Sequence, residues 1–563
     1  MAEENQRNVL WIMCDQMRYD YLSCAGHPHI DTPNIDWLAQ DGVRFTSAFA
    51  QSTICGASRV SAYTGRYVRS HGATGNEVAL RIGEPTLGDH LNAIGADNIL
   101  IGKTHMRPDT PGMSRLEIDP QSRVGSFSSE AGFIPYTRHD GLHPDGDYDP
   151  DPDYNDYLRS HGMDGENPWE EYANGAIGDD GSVVSGWLMQ NADRPARVPK
   201  EHSETAYVTD QAIAFLKERG TNERPWSLHL SYIKPHWPYL APAPYHELYG
   251  KGDVQPAIRS EAERADPHPL YDAFLKEKYS TVFCRDEVRE RVIPAYMGLI
   301  KEIDDNLGRL FDYLRSAGLM ENTMIVFTAD HGDYLGDHWL GEKYMFHDAS
   351  VRIPMIVRDP RADADATRGQ TSEALVEMID LAPTFLDFIA DSDASGALSH
   401  ILQGRSLVPL LTAENGVQWR EAAFSEYDFT YDAARVRLGT PVNDSCATMV
   451  FDGRWKFIHV PQYAPLLYDL ENDPHELEDL GRSGRHDDVI ARMQGLMFDW
   501  CRKQSNRTTI SDGEISGSDA VALDYDRVID HNIFIGYWNK DELVLEREKK
   551  QAASKSSRPV SVE

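Results

Sequence analysis

The run Val9-Leu10-Trp11-Ile12-Met13-Cys14, closed by Asp15-Gln16, decides how the rest of the chain is read. Short and almost continuously apolar, it predicts a strand buried on both faces, as in a parallel sheet. Three further runs follow the same plan. Asn98-Ile99-Leu100-Ile101-Gly102 ends at Lys103-Thr104-His105, and Trp226-Ser227-Leu228-His229-Leu230-Ser231-Tyr232 leads into Lys234-Pro235-His236. Thr323-Met324-Ile325-Val326-Phe327-Thr328 ends at Ala329-Asp330-His331-Gly332-Asp333. Between the runs lie helical patterns. Leu299, Ile300, Ile303, Leu307, Leu310, Phe311 and Leu314 share one helix face, with Gly318 where a stop belongs, and Ala206 to Lys217 is a second such segment. Strands alternating with helices predict an α/β fold with a doubly wound, mostly parallel sheet. Ligands in such sheets bind beyond the carboxyl ends of the strands. One polar strand end is unremarkable. Four that bring Asp15, Lys103 with His105, His236, and Asp330 with His331 to one edge point to a site.

Bulk properties bound what that site can take. The chain has 563 residues, enough for two domains, and its 41% hydrophobic and 10% aromatic content is that of a soluble globular protein. A formal net charge of -35 argues against nucleic acid and anionic membrane surfaces as partners. An anionic substrate would therefore need a locally positive pocket on a repelling body. The polar start Met1-Ala2-Glu3-Glu4-Asn5-Gln6-Arg7 lacks the order of a secretory signal. No apolar run approaches the roughly 18 residues of a membrane span. Six cysteines, at 14, 24, 55, 284, 446 and 501, show no paired spacing, so neither a disulfide framework nor a CxxC zinc site is expected. A reduced, cytoplasmic protein is the expectation.

A second stretch carries the chemistry: Ser52-Thr53-Ile54-Cys55-Gly56-Ala57-Ser58-Arg59-Val60-Ser61-Ala62-Tyr63-Thr64-Gly65-Arg66. It predicts a loop entering a short helix, with Cys55 at the mouth and Gly65 as C-cap. Cys55 and Arg59, four apart, fall on one helix face. A thiol at a helix N-terminus beside a guanidinium is expected to lose its proton easily, and an anion is welcome there. Cys-x-Ala-x-Arg followed by Thr64-Gly65-Arg66 resembles the signature of the type I sulfatases and their relatives the phosphonate monoester hydrolases, within the alkaline phosphatase superfamily. The resemblance spans roughly residues 8 to 480. It implies an alkaline-phosphatase-like fold and oxidation of Cys55 to formylglycine by a formylglycine-generating enzyme, the hydrated aldehyde being the nucleophile. Ala57 stands where the family usually has Pro.

The same resemblance assigns expected roles. Asp15, Gln16, Cys55, Asp330 and His331 would hold one divalent metal. The sulfatases usually place a further Asp where Gln16 stands, and Asn or Gln where His331 stands, and bind calcium. Imidazole in place of an oxygen donor shifts preference toward a first-row ion, so manganese is expected first, with zinc or calcium as alternatives. Arg59, Lys103, His105, His236 and Lys343 are the positive groups that the charge argument demands, and with Cys55 they form the expected catalytic set. Arg59 and Lys103 would activate the nucleophile, and His236 would protonate the leaving oxygen. Lys343 would balance charge, and His105 would take the proton that releases sulfate. Asn76 and Thr104 are expected at the substrate. Lys103-Thr104-His105 resembles the Lys-x-His of sulfatases, and His331 and Gln16 resemble the phosphonate hydrolases. The expected activity is hydrolysis of small anionic sulfate monoesters of the arylsulfatase kind, with promiscuity toward phosphonate and phosphate esters. The alternatives are a phosphonate monoester or phosphodiester hydrolase of the same family, and a binding protein that keeps the fold without the chemistry.

The expected organisation is a catalytic domain over residues 1–418 and a subdomain over 419–515 in which a small antiparallel sheet is closed by one helix near Val489 to Lys503. Within the first, residues of about 106–200 read as an insertion, and its acidic stretch His143–Asp153 as solvated rather than as a calcium loop. In the second, Asp452-Gly453 supplies a hairpin turn. Residues 516–563 form an arm with an apolar patch, Ile533-Phe534-Ile535-Gly536-Tyr537-Trp538, and a disordered end. It resembles the arms of oligomeric phosphonate hydrolases and implies a homo-oligomer, dimer or tetramer.

Overall fold

Every residue of β1 (Asn8–Asp15) is buried, and the strand order explains it. In a computed structural model, which describes residues 6–141, 152–219, 224–414, 416–504, 507–517, 537–545 and 548–549, β1 lies inside an eight-stranded sheet of order β10-β2-β9-β8-β1-β7-β3-β4. The other members are β2 (Val43–Phe49), β3 (Asp97–Gly102), β4 (Ile134–Arg138), β7 (Trp226–Pro235), β8 (Thr323–Ala329), β9 (Met355–Arg358) and β10 (Thr371–Glu377). The four strands read from apolar runs are contiguous and mutually parallel: β8 pairs with β1, β1 with β7, and β7 with β3. β9 runs antiparallel to both β2 and β8, so the sheet is mixed but mostly parallel, as expected. Helices Glu204–Glu218 and Asp286–Ser316 cover one part of it, and Leu299, Ile300, Ile303, Leu307, Leu310, Phe311 and Leu314 of the long helix are all buried.

Two features depart from the sequence reading. The segment read as an insertion supplies β4, which pairs parallel with β3 as the sheet's edge. Pro135 explains why this strand is hard to see, since a residue without an N–H is confined to edges. The same segment also holds helix Asp153–Ser160 and a hairpin of β5 (Gly175–Ile177) and β6 (Val183–Ser185). Its acidic stretch falls almost wholly in 142–151, outside the described residues.

A separate antiparallel sheet follows: β11 (Ala423–Asp428), β12 (Cys446–Phe451), β13 (Trp455–His459) and β14 (Leu466–Asp469), in that order. Gly453, with φ 95°, makes the turn between β12 and β13, a conformation cheap for glycine alone. Helix Asp487–Lys503 lies over this sheet through Met493 and Trp500, which pack with Phe424, Val450, Phe457 and Leu467. Both sheets belong to one compact unit, Met1–Asn506. A second unit, Arg507–Glu563, has a short helix, Asp512–Gly517, among its described residues. Ile533–Gly536 of the apolar patch lie outside the described residues, and Trp538 is 88% exposed in the single chain. Among the described residues, no helix is long and apolar enough to cross a membrane.

Candidate active site

The carboxyl ends of β1, β3, β7 and β8 deliver their side chains to one buried place, and Cys55 opens the helix that points into it. That helix, Cys55–Thr64, is buried along its whole length and ends on Gly65 at φ 64°. Its own N-cap, Ile54, offers no side-chain bond. Asn76 supplies the missing acceptor: its Oδ1 takes the Gly56 N–H at 2.8 Å. Gly102 closes β3 where a Cβ would stand 2.0 Å from the Ser231 carbonyl oxygen, so only glycine lets β3 and β7 stay paired as far as Lys103.

Around the Cys55 sulfur stand the Lys343 ammonium at 3.0 Å, His331 Nε2 at 3.1 Å and Asp15 Oδ1 at 3.7 Å. Asp330 completes the set, with Oδ1 3.7 Å from His331 Nε2. Asp15, Cys55, Asp330 and His331, all buried, bring one ligand atom each to within 4.8 Å of one another. His331 Nδ1 donates to the Gly332 carbonyl at 2.9 Å, which leaves the Nε2 lone pair facing the cluster. Burial lowers the ring's pKa and keeps it neutral. A bare imidazole nitrogen and two desolvated carboxylates are a donor set that fits a divalent ion.

The cations are held by those carboxylates. Arg59 Nε donates to Asp330 Oδ2 at 2.8 Å, and its Nη1 reaches Ser231 Oγ at 2.8 Å and the Lys103 carbonyl at 3.1 Å. The Lys103 ammonium is paired with Asp15. Burial works to raise Asp15, but the charges of Lys103, Arg59 and Lys343 outweigh it and hold the carboxyl well below its usual range. Three fixed cations, Arg59, Lys103 and Lys343, thus gather at this edge, as an anion site in an acidic body requires.

Three expectations need correcting. Cys55 is no ready thiolate: burial, then the Asp15 charge, push its thiol up to about 11, against the pull of Lys343 and Lys103. Nor are His105 and His236 cations here. Burial drives both rings well below their ordinary value, with Lys103 adding to it at His105 and Lys343 and Lys103 at His236. His236 Nδ1 donates to the Trp237 carbonyl at 2.9 Å, so its Nε2, 3.3 Å from Lys343 Nζ, accepts. The structure gathers Asp15, Gln16, Cys55, Arg59, Lys103, His236, Asp330, His331 and Lys343 through direct contacts. The Thr104 hydroxyl donates to Glu130 at 3.0 Å in the interior. Asp140 accepts the backbone N–H groups of Thr104 and His105, at 3.0 and 2.8 Å. His105 Nδ1 is buried and has no hydrogen-bond partner among the described residues.

Sequence reasoning missed the polar groups behind the site: Asp140, Glu130, Ser231, Tyr239, Asp333 and Glu342. Glu342, pushed up to about 7 by burial and the neighbouring Asp333 against the pull of Lys343, stands beside a residue the sequence did single out. Four non-glycine residues at the site, Gln16, His105, Glu342 and Tyr344, have φ of 62°, 56°, 60° and 94°. Strain of this kind persists where the surroundings over-determine it, and functional sites are where it clusters.

Comparison with known proteins decides the family. The model described as Sulfatase matches residues 7–391, and one described as N-sulphoglucosamine sulphohydrolase, C-terminal, matches 336–503. The chain belongs to the sulfatase family. It is 31% identical over 531 residues to the multifunctional alkaline phosphatase superfamily protein PehA of Trinickia caryophylli, covering 89% of this chain and 96% of that one. To an arylsulfatase of Clostridium perfringens it is 26% identical over 504 residues, covering 87% and 93%. A solved phosphonate monoester hydrolase from Silicibacter pomeroyi superposes with a TM-score of 0.77 at 28% identity, covering 89% and 96%. The fold is accordingly alkaline-phosphatase-like, with a separate small antiparallel sheet, β11 to β14, toward the C-terminal end.

Proposed function

We propose that this sulfatase-family protein hydrolyses sulfate monoesters of small organic alcohols and phenols through an aldehyde made from Cys55. The observation that carries the reading is the Cys55 sulfur itself, 3.0 Å from the Lys343 ammonium and 3.1 Å from a bare imidazole nitrogen inside a carboxylate pair. A structural cysteine would not be ringed this way. Its raised thiol pKa argues against direct thiolate attack, and membership of the sulfatase family supports conversion to formylglycine by a generating enzyme. Asp15, Asp330, His331 and residue 55, with the Gln16 amide oxygen, would hold one divalent ion, manganese first because of the imidazole. Such an ion, when bound, polarises the ester's non-bridging oxygens and favours an ionised hydroxyl on residue 55.

The chain's own groups do the rest. Lys343, kept charged by the carboxyl groups of Glu342 and Asp15 in spite of burial, faces the reacting centre. It balances the negative charge that grows on the ester. It keeps its proton and donates a hydrogen bond to His236 Nε2. An arriving anion favours the charged imidazole, so His236, protonated from solvent, passes its own proton to the leaving oxygen. Lys103 and Arg59 hold the carboxylates of Asp15 and Asp330 in place. His105, neutral and two residues beyond Lys103, is the base proposed to take the proton that releases sulfate. Residues 516–563 are proposed to form a contact between copies of the chain, in a cytoplasmic homo-oligomer.

A second reading, a phosphonate monoester hydrolase, is favoured by His331 as ligand and by the 28% identity to the Silicibacter enzyme. Steady-state rates on matched aryl sulfate and aryl phosphonate monoesters test the order. A higher kcat/KM on the sulfate supports the first reading, and a far higher one on the phosphonate reverses it.

A further inference from the structure

We infer that Asp333, held by Tyr239, is a positioning residue that turns the Gln16 side chain so that its oxygen, and not its nitrogen, faces the Cys55–Asp15–Asp330–His331 cluster. This inference rests on the reading of that cluster as a divalent-ion site.

Gln16 leaves β1 in the left-handed region, at φ 62°, and its backbone is pinned at both ends. Its N–H donates to Asp330 Oδ1 at 3.0 Å, and its carbonyl accepts the Tyr296 hydroxyl at 2.8 Å. The side chain is fully buried. An amide can sit either way round, and its neighbours choose. Nε2 lies 2.6 Å from Asp333 Oδ2, 3.4 Å from the Tyr239 hydroxyl oxygen and 3.4 Å from Glu342 Oε2, while Oε1 lies 3.0 Å from Lys343 Nζ. An ammonium has three donors and no acceptor, and an ionised carboxylate only accepts. The reversed amide would set an NH2 group against the ammonium and an oxygen against two carboxyl groups. In a buried site that costs several hydrogen bonds at once.

Asp333 is itself fixed as an acceptor on every side. Oδ2 receives the Tyr239 hydroxyl at 2.6 Å besides the Gln16 amide, and Oδ1 receives the Leu335 N–H at 3.0 Å. An asparagine cannot satisfy all three donors, because one of its two arms is an NH2 group. Placed toward Gln16, that NH2 would draw the amide oxygen to itself and turn the Gln16 nitrogen toward Lys343 and the ligand cluster. Neither Asp333 nor Tyr239 reaches the reacting atoms. Both act through Gln16, in the manner of outer partners that orient a metal's ligands.

The test is calorimetric titration of Mn2+ into the chelator-treated full-length protein and its variants, with thermal unfolding midpoints taken on the same samples. Asp333→Asn is expected to weaken Mn2+ binding by about 10- to 100-fold, and Tyr239→Phe, which removes one of the bonds that hold Asp333, by about threefold to tenfold. The double variant Asp333→Asn, Gln16→Glu is expected to recover most of the affinity lost by Asp333→Asn. A carboxylate offers an acceptor both to the asparagine NH2 and to the Lys343 side. General damage to the fold would not be repaired by that second change. Wild-type affinity in both single variants, or a double variant no tighter than Asp333→Asn, overturns the inference. Failure of the wild-type protein to bind Mn2+ or another divalent ion overturns the ion-site reading beneath it, and the inference with it. If Asp333→Asn does not fold, Tyr239→Phe decides alone.

Discussion

The Lys343 ammonium stands 3.0 Å from the Cys55 sulfur, two residues that are 288 apart in the chain and are brought together by the loop after β8. Lys343→Ala would remove the fixed cation that, among the described residues, touches residue 55 directly. Loss of a preorganised donor at developing charge costs about 10²–10³ in rate. The expected result is a fall of that size in kcat/KM on an aryl sulfate, mostly in kcat. A variant within about threefold of wild type would show that Lys343 is a bystander.

Asn76 and Gly56 make a second relation that activity should report. The Asn76 carbonyl caps a helix whose N-terminus has no side-chain cap of its own. Asn76→Ala should lower stability by about 1 kcal/mol and slow turnover by displacing residue 55. Asn76→Asp, which keeps the acceptor, should restore the melting temperature. Equal melting temperatures for Asn76→Ala and wild type would contradict the cap.

Asp330 serves both the ligand cluster and Arg59, with Nε 2.8 Å from Oδ2. Asp330→Ala should therefore cost more than a missing ligand. Breaking a buried pair leaves an uncompensated charge, worth about 3–5 kcal/mol. Chemical denaturation should show the loss, and Mn2+ should no longer stabilise the variant.

Glu302, on the long helix, gives a pH dependence remote from the site. Burial pushes its carboxyl from 4.5 up to about 8, with Glu204 adding to the rise, while Ser203 and Lys234 oppose it. The folded state binds the proton more tightly than the unfolded state. The stabilisation is then fully present below about pH 4.5 and is lost as pH rises through about 8. Glu302→Gln keeps a neutral side chain at every pH. Its melting temperature should gain several degrees on wild type between pH 5 and pH 8.5. Parallel curves would show that Glu302 is ionised in the fold.

The central four strands were legible because each is buried on both faces, which writes an unbroken apolar run into the sequence. β9 (Met355–Arg358) and β10 (Thr371–Glu377) were not. The first is four residues long, and the second begins with the exposed or half-exposed Thr371, Ser372 and Glu373. At the site, Cys55, Arg59, Asp330 and His331 were readable because they sit in short local motifs. Tyr239, Asp333 and Glu342 meet Gln16 from 223, 317 and 326 residues away, and no spacing records that. Charge states were the least legible. The sequence offered His105, His236 and the Cys55 thiol as charged groups, and desolvation, which needs three dimensions, reverses all three.

The central claim is that residue 55 works as an aldehyde within a ring of fixed charges. Mass analysis of the tryptic peptide Phe45–Arg59, taken from active, natively expressed protein, tests it most directly. The account predicts that the active fraction carries formylglycine, trapped as a hydrazone by an aldehyde reagent, and that activity rises with the converted share. Protein that hydrolyses the ester at full rate with an intact Cys55 thiol would contradict it.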